Sequence, residues 1–307
     1  MRDLKTILRR LAAAVLPERP LGALRALWHR SQALDPRRLR LERSFKRLNA
    51  EVAGDQIVVR PGLRLTIDPE AREGFEWFCF RSPEMVRELD GFLARSATCH
   101  RLLDVGACHG LFSLAFAHGR DDAEALAVEP SPLAWAVLEA NVGRNPDARI
   151  VPVQAALGAE PGLLRMRFAW HHLEASPDAE DEAGTVTIPL RTLDDLRDEL
   201  AFHPDVMKID VEGYEIAVLR GARRTLTEDR PLLFLETHPQ RLKELGRSVG
   251  ELGELLAELG YLTFDLDGEP VGARELAGLD SVSRFYCSPA EASGAKVPNL
   301  VYNPPAK

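Results

Sequence analysis

Three carboxylates and one histidine fall in two short stretches, "MKIDVEG" (207–213) and "LLFLETH" (232–238). Asp210 and Glu212 are spaced i, i+2, and so are Glu236 and His238. Residues two apart in an extended chain share a face. Each pair follows an apolar run of the kind that forms a strand buried on both sides. If the two strands lie side by side, Asp210, Glu212, Glu236 and His238 converge on one mouth. A histidine titrates near neutral pH and removes protons there. A carboxylate beside it fixes its tautomer and raises its basicity. His238 is thus expected to be a general base, with Asp210, Glu236 and Glu212 completing the catalytic set. Asp210, Glu236 and His238 are also donor types that hold a divalent metal. Their spacing does not choose between the two uses.

A binding loop is expected in "RLLDVGACHG" (101–110), where an apolar run ends and two glycines follow four residues apart. Glycine lets the backbone turn sharply and lets a ligand come close. The helix start beyond it offers free N–H groups and a positive dipole end. Position 108 is Cys, so the middle glycine of the dinucleotide fingerprint is absent. That argues against a pyrophosphate and suits a ligand carrying a carboxylate. Asp104, Gly106, Ala107, Cys108 and Gly110 form this candidate site. Glu129, in "AVEPSP", lies 23 residues beyond Gly106. An acid at about this offset accepts hydrogen bonds from ribose hydroxyls. Pro130 continues that turn, and Ser131 is expected to cap a helix that has Pro132 at its first position. Next comes Gln154-Ala155-Ala156, small enough to admit a flat base, with Gln154 placed to hydrogen-bond an adenine edge.

Other candidates are weaker. His171 and His172 are adjacent, so in a strand they point to opposite faces. The thiol of Cys108 is expected to be a small packed group. Phe75, Trp77, Phe78 and Phe80 form an aromatic cluster that serves as core, as a lid or as a substrate wall.

The elements that must position these residues alternate regularly. Apolar runs at 101–105, 125–129, 149–153, 205–211 and 231–236 are separated by helix-like segments at 110–119, 132–143, 192–201, 214–227 and 248–259. This alternation predicts βαβ units, a parallel sheet and helices on both of its faces. In such a sheet ligands bind beyond the carboxyl ends of the strands. The insert 162–190 holds two predicted strands, "LLRMRFAW" and "TVTIPL", joined by the polar stretch 176–184. The segments "YLTFDLDG" (261–268) and "SRFYCS" (283–288) have no long helix between them, which permits an antiparallel pair at an edge. Residues 56–67 read as two short strands around Pro61-Gly62. Ser82-Pro83-Glu84 marks a helix start at 82–95. The predicted divisions are a basic helical arm (1–50), a strand and helix brace or lid (51–99), the main domain (100–290) and a tail (291–307).

The 307 residues carry a net charge of −8, unevenly spread. Residues 1–50 balance to +9 and the remainder to −17. An acidic body argues against nucleic acid as the main partner. The basic arm either packs on its own body or makes peripheral contact with an anionic membrane surface. The four cysteines form no CxxC pair, which suits a reducing, cytoplasmic location. "LAAAVL" (11–16) is followed by Pro17 and Pro20 and lacks a small-residue cleavage site, so it is not expected to be a signal peptide. No apolar run reaches membrane-spanning length.

"LLDVGACHGLFSLAFA", "AVEPSPLAWAVLEANV", "VQAALG", "IPLRTLDDL", "MKIDVEGYEIAVLRGA" and "LLFLETH" stand in the order seen in FkbM-type methyltransferases, which the chain resembles over roughly 82–262. The resemblance implies a Rossmann-like class I methyltransferase fold, an α/β sheet of seven mostly parallel strands with one antiparallel strand near an edge. It implies S-adenosyl-L-methionine as cofactor and O-methylation of a hydroxyl on a sugar, polyketide or related metabolite. By position, Asp104, Gly106, Ala107 and Gly110 would hold the methionine portion and Glu129 the ribose. Asp210 would lie beside the transferring methyl group, with Glu236 and His238 nearby. The family commonly has Asn where this chain has Cys108. The expected partner is a small-molecule or glycan acceptor with a free hydroxyl. Two rival readings are a nicotinamide-dependent dehydrogenase, which the missing glycine at 108 disfavours, and a non-catalytic cofactor-binding module that docks through the basic arm.

Overall fold

The first strand of the main sheet, β3 (Arg101–Val105), is apolar on both faces because helices cover both sides of it. This computed structural model describes residues 36–52, 54–169, 172–175 and 185–290. The expectations for residues 1–35, His171, the stretch 176–184 and the tail 291–307 lie outside the described residues.

Ahead of β3 come α1 (Pro36–Leu48), the hairpin β1 (Gln56–Arg60) and β2 (Leu63–Thr66), and a short helix α2 (Arg72–Glu76). A π-helical turn (Trp77–Arg81) then leads to α3 (Pro83–Arg95). Ser82 caps α3 by accepting the Met85 N–H, with Pro83 in the first turn, where its missing N–H costs nothing.

The βαβ rhythm follows as α4 (Leu111–Ala117), β4 (Glu124–Val128), α5 (Pro132–Arg144) and β5 (Arg149–Val153). The insert forms a second sheet from β6 (Ala156–Leu157), β7 (Gly162–Ala169), β8 (His172–Ala175) and β9 (Thr185–Arg191), in the order β6-β9-β7-β8. The main sheet resumes through α6 (Leu193–Leu200), β10 (Val206–Ile209), α7 (Glu215–Arg220), α8 (Arg223–Glu228), β11 (Leu232–Thr237), α9 (Pro239–Glu244), α10 (Val249–Glu258), β12 (Tyr261–Asp265), α11 (Ala273–Ala277) and β13 (Ser283–Pro289).

The seven strands lie in the order β12-β13-β11-β10-β3-β4-β5. Among the described residues β13 alone runs antiparallel, paired on both sides. This is the sheet of seven mostly parallel strands expected above, with helices on both faces and a helical region before it.

Alternation along the strands divides the core. Leu102, Ala125, Val206 and Phe234 face one side, where Phe92, Phe112, Phe116, Phe45 of α1 and the brace residues Ile57 and Phe75 join the same cluster. Phe92 centres it, with ring centroids 5.1 Å from Phe112 and 5.1 Å from Phe234. Burying each such ring contributes about 1.5–3 kcal/mol. Leu103, Val128, Ile209 and Leu235 face the other side, against Leu196, Ile216, Leu226 and Leu252.

The helix expected over 214–227 is broken between α7 and α8. A Cβ on Gly221 would come within 2.0 Å of the Gly158 carbonyl oxygen, so the break admits a neighbouring loop. Asp194 then caps the new start, accepting the Arg224 N–H at 2.9 Å and the Thr225 N–H at 2.9 Å.

Candidate active site

The glycine loop is pinned at both ends. Gly106 and Ala107 each donate a backbone N–H to the Val128 carbonyl, at 2.9 and 3.0 Å. Gly106 has φ +79°, and a Cβ there would meet the Asp210 carbonyl oxygen at 1.9 Å. Only glycine fits that position. Gly110 ends the loop with φ +85°, as the N-cap of α4. Asp104, at the end of β3, is buried and accepts both the Ser113 N–H (3.2 Å) and the Ser113 hydroxyl (2.7 Å). Burial pushes its carboxyl up to about 6, even against those hydrogen bonds.

Glu129 follows β4. Its Oε1 accepts the Ser131 N–H at 2.8 Å, and its Oε2 accepts the Cys108 N–H at 2.8 Å. Two backbone donors thus aim the carboxylate into the cavity, whose wall it joins. Burial pushes it up to about 7. Cys108, at φ +49°, contributes to this clamp through its backbone, and its side chain is exposed. The contact is made by the backbone N–H and so does not use the thiol.

The acids and the histidine meet as the i, i+2 spacing predicted. Ile209 pairs with Leu235, so Asp210 and Glu236 emerge from adjacent parallel strands on the same side. Asp210, Glu212 and Glu236 line the cavity. Glu212 adopts φ +49°, an uncommon conformation for a residue with a side chain. His238 sits behind the acids and is 5% exposed. Its Nδ1 is 2.9 Å from Glu215 Oε1, while its Nε2 faces Glu212 at 3.5 Å, Glu236 at 3.6 Å and Asp210 at 3.9 Å. Burial works against the imidazolium, but the hydrogen bond to Glu215 and the charges of Glu212 and Asp210 outweigh it and raise His238 to about 9. This corrects the expectation of a free histidine base. At neutral pH the ring already carries its proton, and it is Asp210, Glu212 and Glu236 of this group that line the cavity, with Lys208, His109 and Tyr214 also in its wall.

Spacing had not revealed the cations that hold those carboxylates. Lys208, on β10, is 1% exposed. Its Nζ lies 3.1 Å from Glu88 Oε1, 3.6 Å from Asp210 Oδ2 and 5.1 Å from the centre of the Phe112 ring. Burial opposes its charge, but Glu88, Asp210 and Glu236 hold it above its ordinary value, so it stays an ammonium. Arg284, on β13, bridges Glu88 (Nε, 2.7 Å) and Glu236. Burial alone would raise Asp210, yet the charges of Lys208, His238 and Arg284 keep it below the usual carboxylate range. Glu236 moves the other way, raised by burial and by the charge of Asp210. A lysine inside an apolar strand was the available signal, because buried charges are paired.

The rest of the cavity wall is mostly apolar. Phe75, Phe78 and Met85 cover it from the brace, and Leu164 and Met166 from the second sheet. Ala155 and Ala156 line it near the end of β5, as does Pro130 after β4. Gln154 is exposed and is not among the lining residues, so the expected contact to a base edge falls to its small neighbours.

A family model for the methyltransferase FkbM domain matches residues 104–263. No curated protein matches the chain. Among solved structures it is similar to methyltransferase FkbM from Methylobacillus flagellatus KT, at 18% identity and a TM-score of 0.44, over 81% of this chain and 59% of that one. This chain thus spans less than two thirds of that protein's length. It is also similar to precorrin-6y C5,15-methyltransferase from Geobacter metallireducens GS-15 (13% identity, TM-score 0.38, 65% and 84% covered). A third is cofactor-bound Rv0187 from MTB (15% identity, TM-score 0.38, 67% and 79% covered).

Proposed function

The chain belongs to the FkbM methyltransferase family, and from that premise we propose that it methylates a hydroxyl oxygen of a sugar, polyketide or related metabolite. The family's cofactor is S-adenosylmethionine, which sets aside the nicotinamide reading. The residues present fit it. A clamped carboxylate at Glu129 suits ribose hydroxyls. The small wall at Ala155 and Ala156 suits a purine, and the buried Asp104 and the glycine loop suit the amino-acid end. When bound, the cofactor supplies an electrophilic methyl group on a cationic sulfur.

Glu129 accepts the ribose hydroxyls, and its two backbone donors keep its lone pairs aimed. Asp210 is the general base. It is ionised, lines the cavity and is 28% exposed on its side chain, more open than Glu236 at 7%. It takes the hydroxyl proton as the acceptor oxygen attacks. Lys208 fixes the Asp210 carboxylate from behind. His238 acts as a positioning residue, an imidazolium locked by Glu215. The negative mouth favours positive charge during the transfer. Phe75, Phe78 and Met85 exclude water and hold the acceptor in line, where orientation supplies much of the acceleration. Their apolar character favours the polyketide end of the substrate range.

What supports the reading most is that Glu129 and Asp210 line one cavity, flanking the loop that follows β3. The test is mass spectrometry of cell extract incubated with the protein and methyl-labelled S-adenosylmethionine. The expected product carries the label on oxygen. Binding of S-adenosylhomocysteine without transfer to any extract component would overturn catalysis and favour a non-catalytic module.

A further inference from the structure

We infer that Asp210, Glu236 and His238, with Glu212 at the rim, form a binding site for one divalent first-row transition metal ion of the Mn2+ or Zn2+ type. The inference goes beyond methyl transfer and stands on side-chain geometry alone.

Among the described residues this is the one place where three such donors converge, each ligand atom within 4.8 Å of the others. Two of the three are buried, unlike a surface acid patch. The decisive atom is His238 Nε2. Its ring is more than nine-tenths buried, its Nδ1 is committed to Glu215, and its Nε2, which gives up its proton when an ion binds, has carboxylates as its neighbours. It points into a gap bounded by Glu212 at 3.5 Å, Glu236 at 3.6 Å and Asp210 at 3.9 Å. These separations are long for hydrogen bonds. They are near those of donors sharing one ion, since ligands at about 2.0–2.2 Å from a metal sit roughly 3–3.6 Å apart.

The surroundings have the same character. Glu215 holds the far nitrogen, the usual outer partner of a metal-bound imidazole. Asp210 Oδ2 faces Lys208 while Oδ1 faces His238, which leaves Oδ1 for an ion. Glu236 Oε1 takes Arg284 on one lone pair and keeps another. Once His238 and Glu236 release their protons to make room for an ion, five carboxylates, Glu88, Asp210, Glu212, Glu215 and Glu236, share this region with two permanent cations, Lys208 and Arg284. Buried charge of one sign is costly, and a doubly charged ion removes most of the excess. One imidazole among carboxylates disfavours Ca2+ and Mg2+, which prefer oxygen alone, and suits Mn2+ or Zn2+.

The test titrates Mn2+ into chelator-treated full-length protein, following the free-ion electron paramagnetic resonance signal. Calorimetry with S-adenosylhomocysteine on the same samples reports on the fold and the cofactor site. One Mn2+ per chain is expected, displaced by Zn2+. His238→Ala and Asp210→Asn should each weaken it by at least about 100-fold, and Glu215→Gln by about 10–100-fold. Asp121→Asn with Asp122→Asn, on a surface turn, should change nothing. Glu215→Gln, the isosteric variant, carries the test if His238→Ala fails to fold. Protein that binds S-adenosylhomocysteine but no Mn2+, or Mn2+ binding unmoved by His238→Ala and Glu215→Gln, overturns the site. Mn2+ binding without S-adenosylhomocysteine binding would leave the site standing and count against methyl transfer instead.

Discussion

Glu215 and His238 lie 23 positions apart in the chain and meet at 2.9 Å, carboxylate oxygen to ring Nδ1. Glu215 opens α7 and is fully buried, and it also accepts the Gly213 N–H at 3.1 Å. A histidine held in this way has one orientation, and when it loses a proton the one on Nδ1 stays with Glu215. Its remaining nitrogen is therefore aimed at Asp210, Glu212 and Glu236 by a residue that never touches the cavity wall.

Glu215→Gln should lower the His238 proton affinity without moving the ring far. In ion-free wild-type protein, nuclear magnetic resonance should show the His238 ring titrating near pH 9. The glutamine variant should titrate lower. Equal midpoints in the two proteins would remove the assigned cause.

Glu129→Ala should weaken S-adenosylhomocysteine binding by roughly 10–100-fold, the loss of about 1.5–3 kcal/mol expected for hydrogen bonds to a charged group. Glu129→Gln should fall between, because an amide also leaves a backbone donor facing a donor. Calorimetry decides, and unchanged affinity in Glu129→Ala would place the ribose elsewhere.

Lys208→Met should destabilise the fold by about 3–5 kcal/mol, since it strands the buried Glu88 and the neighbouring Asp210. Adding Glu88→Gln should cost less than the sum of the single changes, because the two share one interaction. Chemical denaturation of the four proteins measures this. Strict additivity would mean that the pair is not coupled.

Stability of the ion-free protein should fall from about pH 4 to about pH 9, the span from the lowest ordinary value to the highest folded value of three raised groups. Asp104 is raised from 3.8 to about 6, Glu129 from 4.5 to about 7, and His238 from 6.5 to about 9. Each group binds its proton more tightly when folded. Each therefore contributes stability that is present below its ordinary value and is lost as pH rises through its folded value. Asp210, held low, acts oppositely, but only in the acid range below this window. Thermal midpoints across the window check the sign, and a rise with pH would contradict it.

Gly106→Ala should lower both stability and cofactor affinity. The left-handed backbone alone costs about 1–2 kcal/mol with a side chain. The added Cβ must also displace the Asp210 carbonyl, so the loop and the base shift together. Circular dichroism melting and calorimetry on one sample would show both losses. A variant melting like the parent would contradict the contact.

Much of this arrangement was legible in the residues. The runs at 101–105 and 149–153 coincide with β3 and β5, and the i, i+2 acids landed on adjacent strands because parallel pairing keeps strand ends level. What stayed hidden depends on contacts far apart in the chain. Glu88 and Arg284 come from α3 and β13, and nothing near either residue hints that they share Lys208 and Glu236. The protonation of His238 escaped for the same reason, since it is set by Glu215, Glu212 and Asp210 rather than by its neighbours in sequence. The break at Gly221 was invisible because its cause is the backbone of Gly158.

Phe75, Phe78 and Met85 stand ahead of residue 104, where the match to the family begins. On the proposed reading, part of the face that greets the guest molecule is thus written in an earlier passage of the chain than the machinery that grips the cofactor. Drift in the earlier passage can retune which molecule is accepted while the later one keeps its grip. Exchanging residues 69–95 between relatives is accordingly the shortest route to a new taste in substrates.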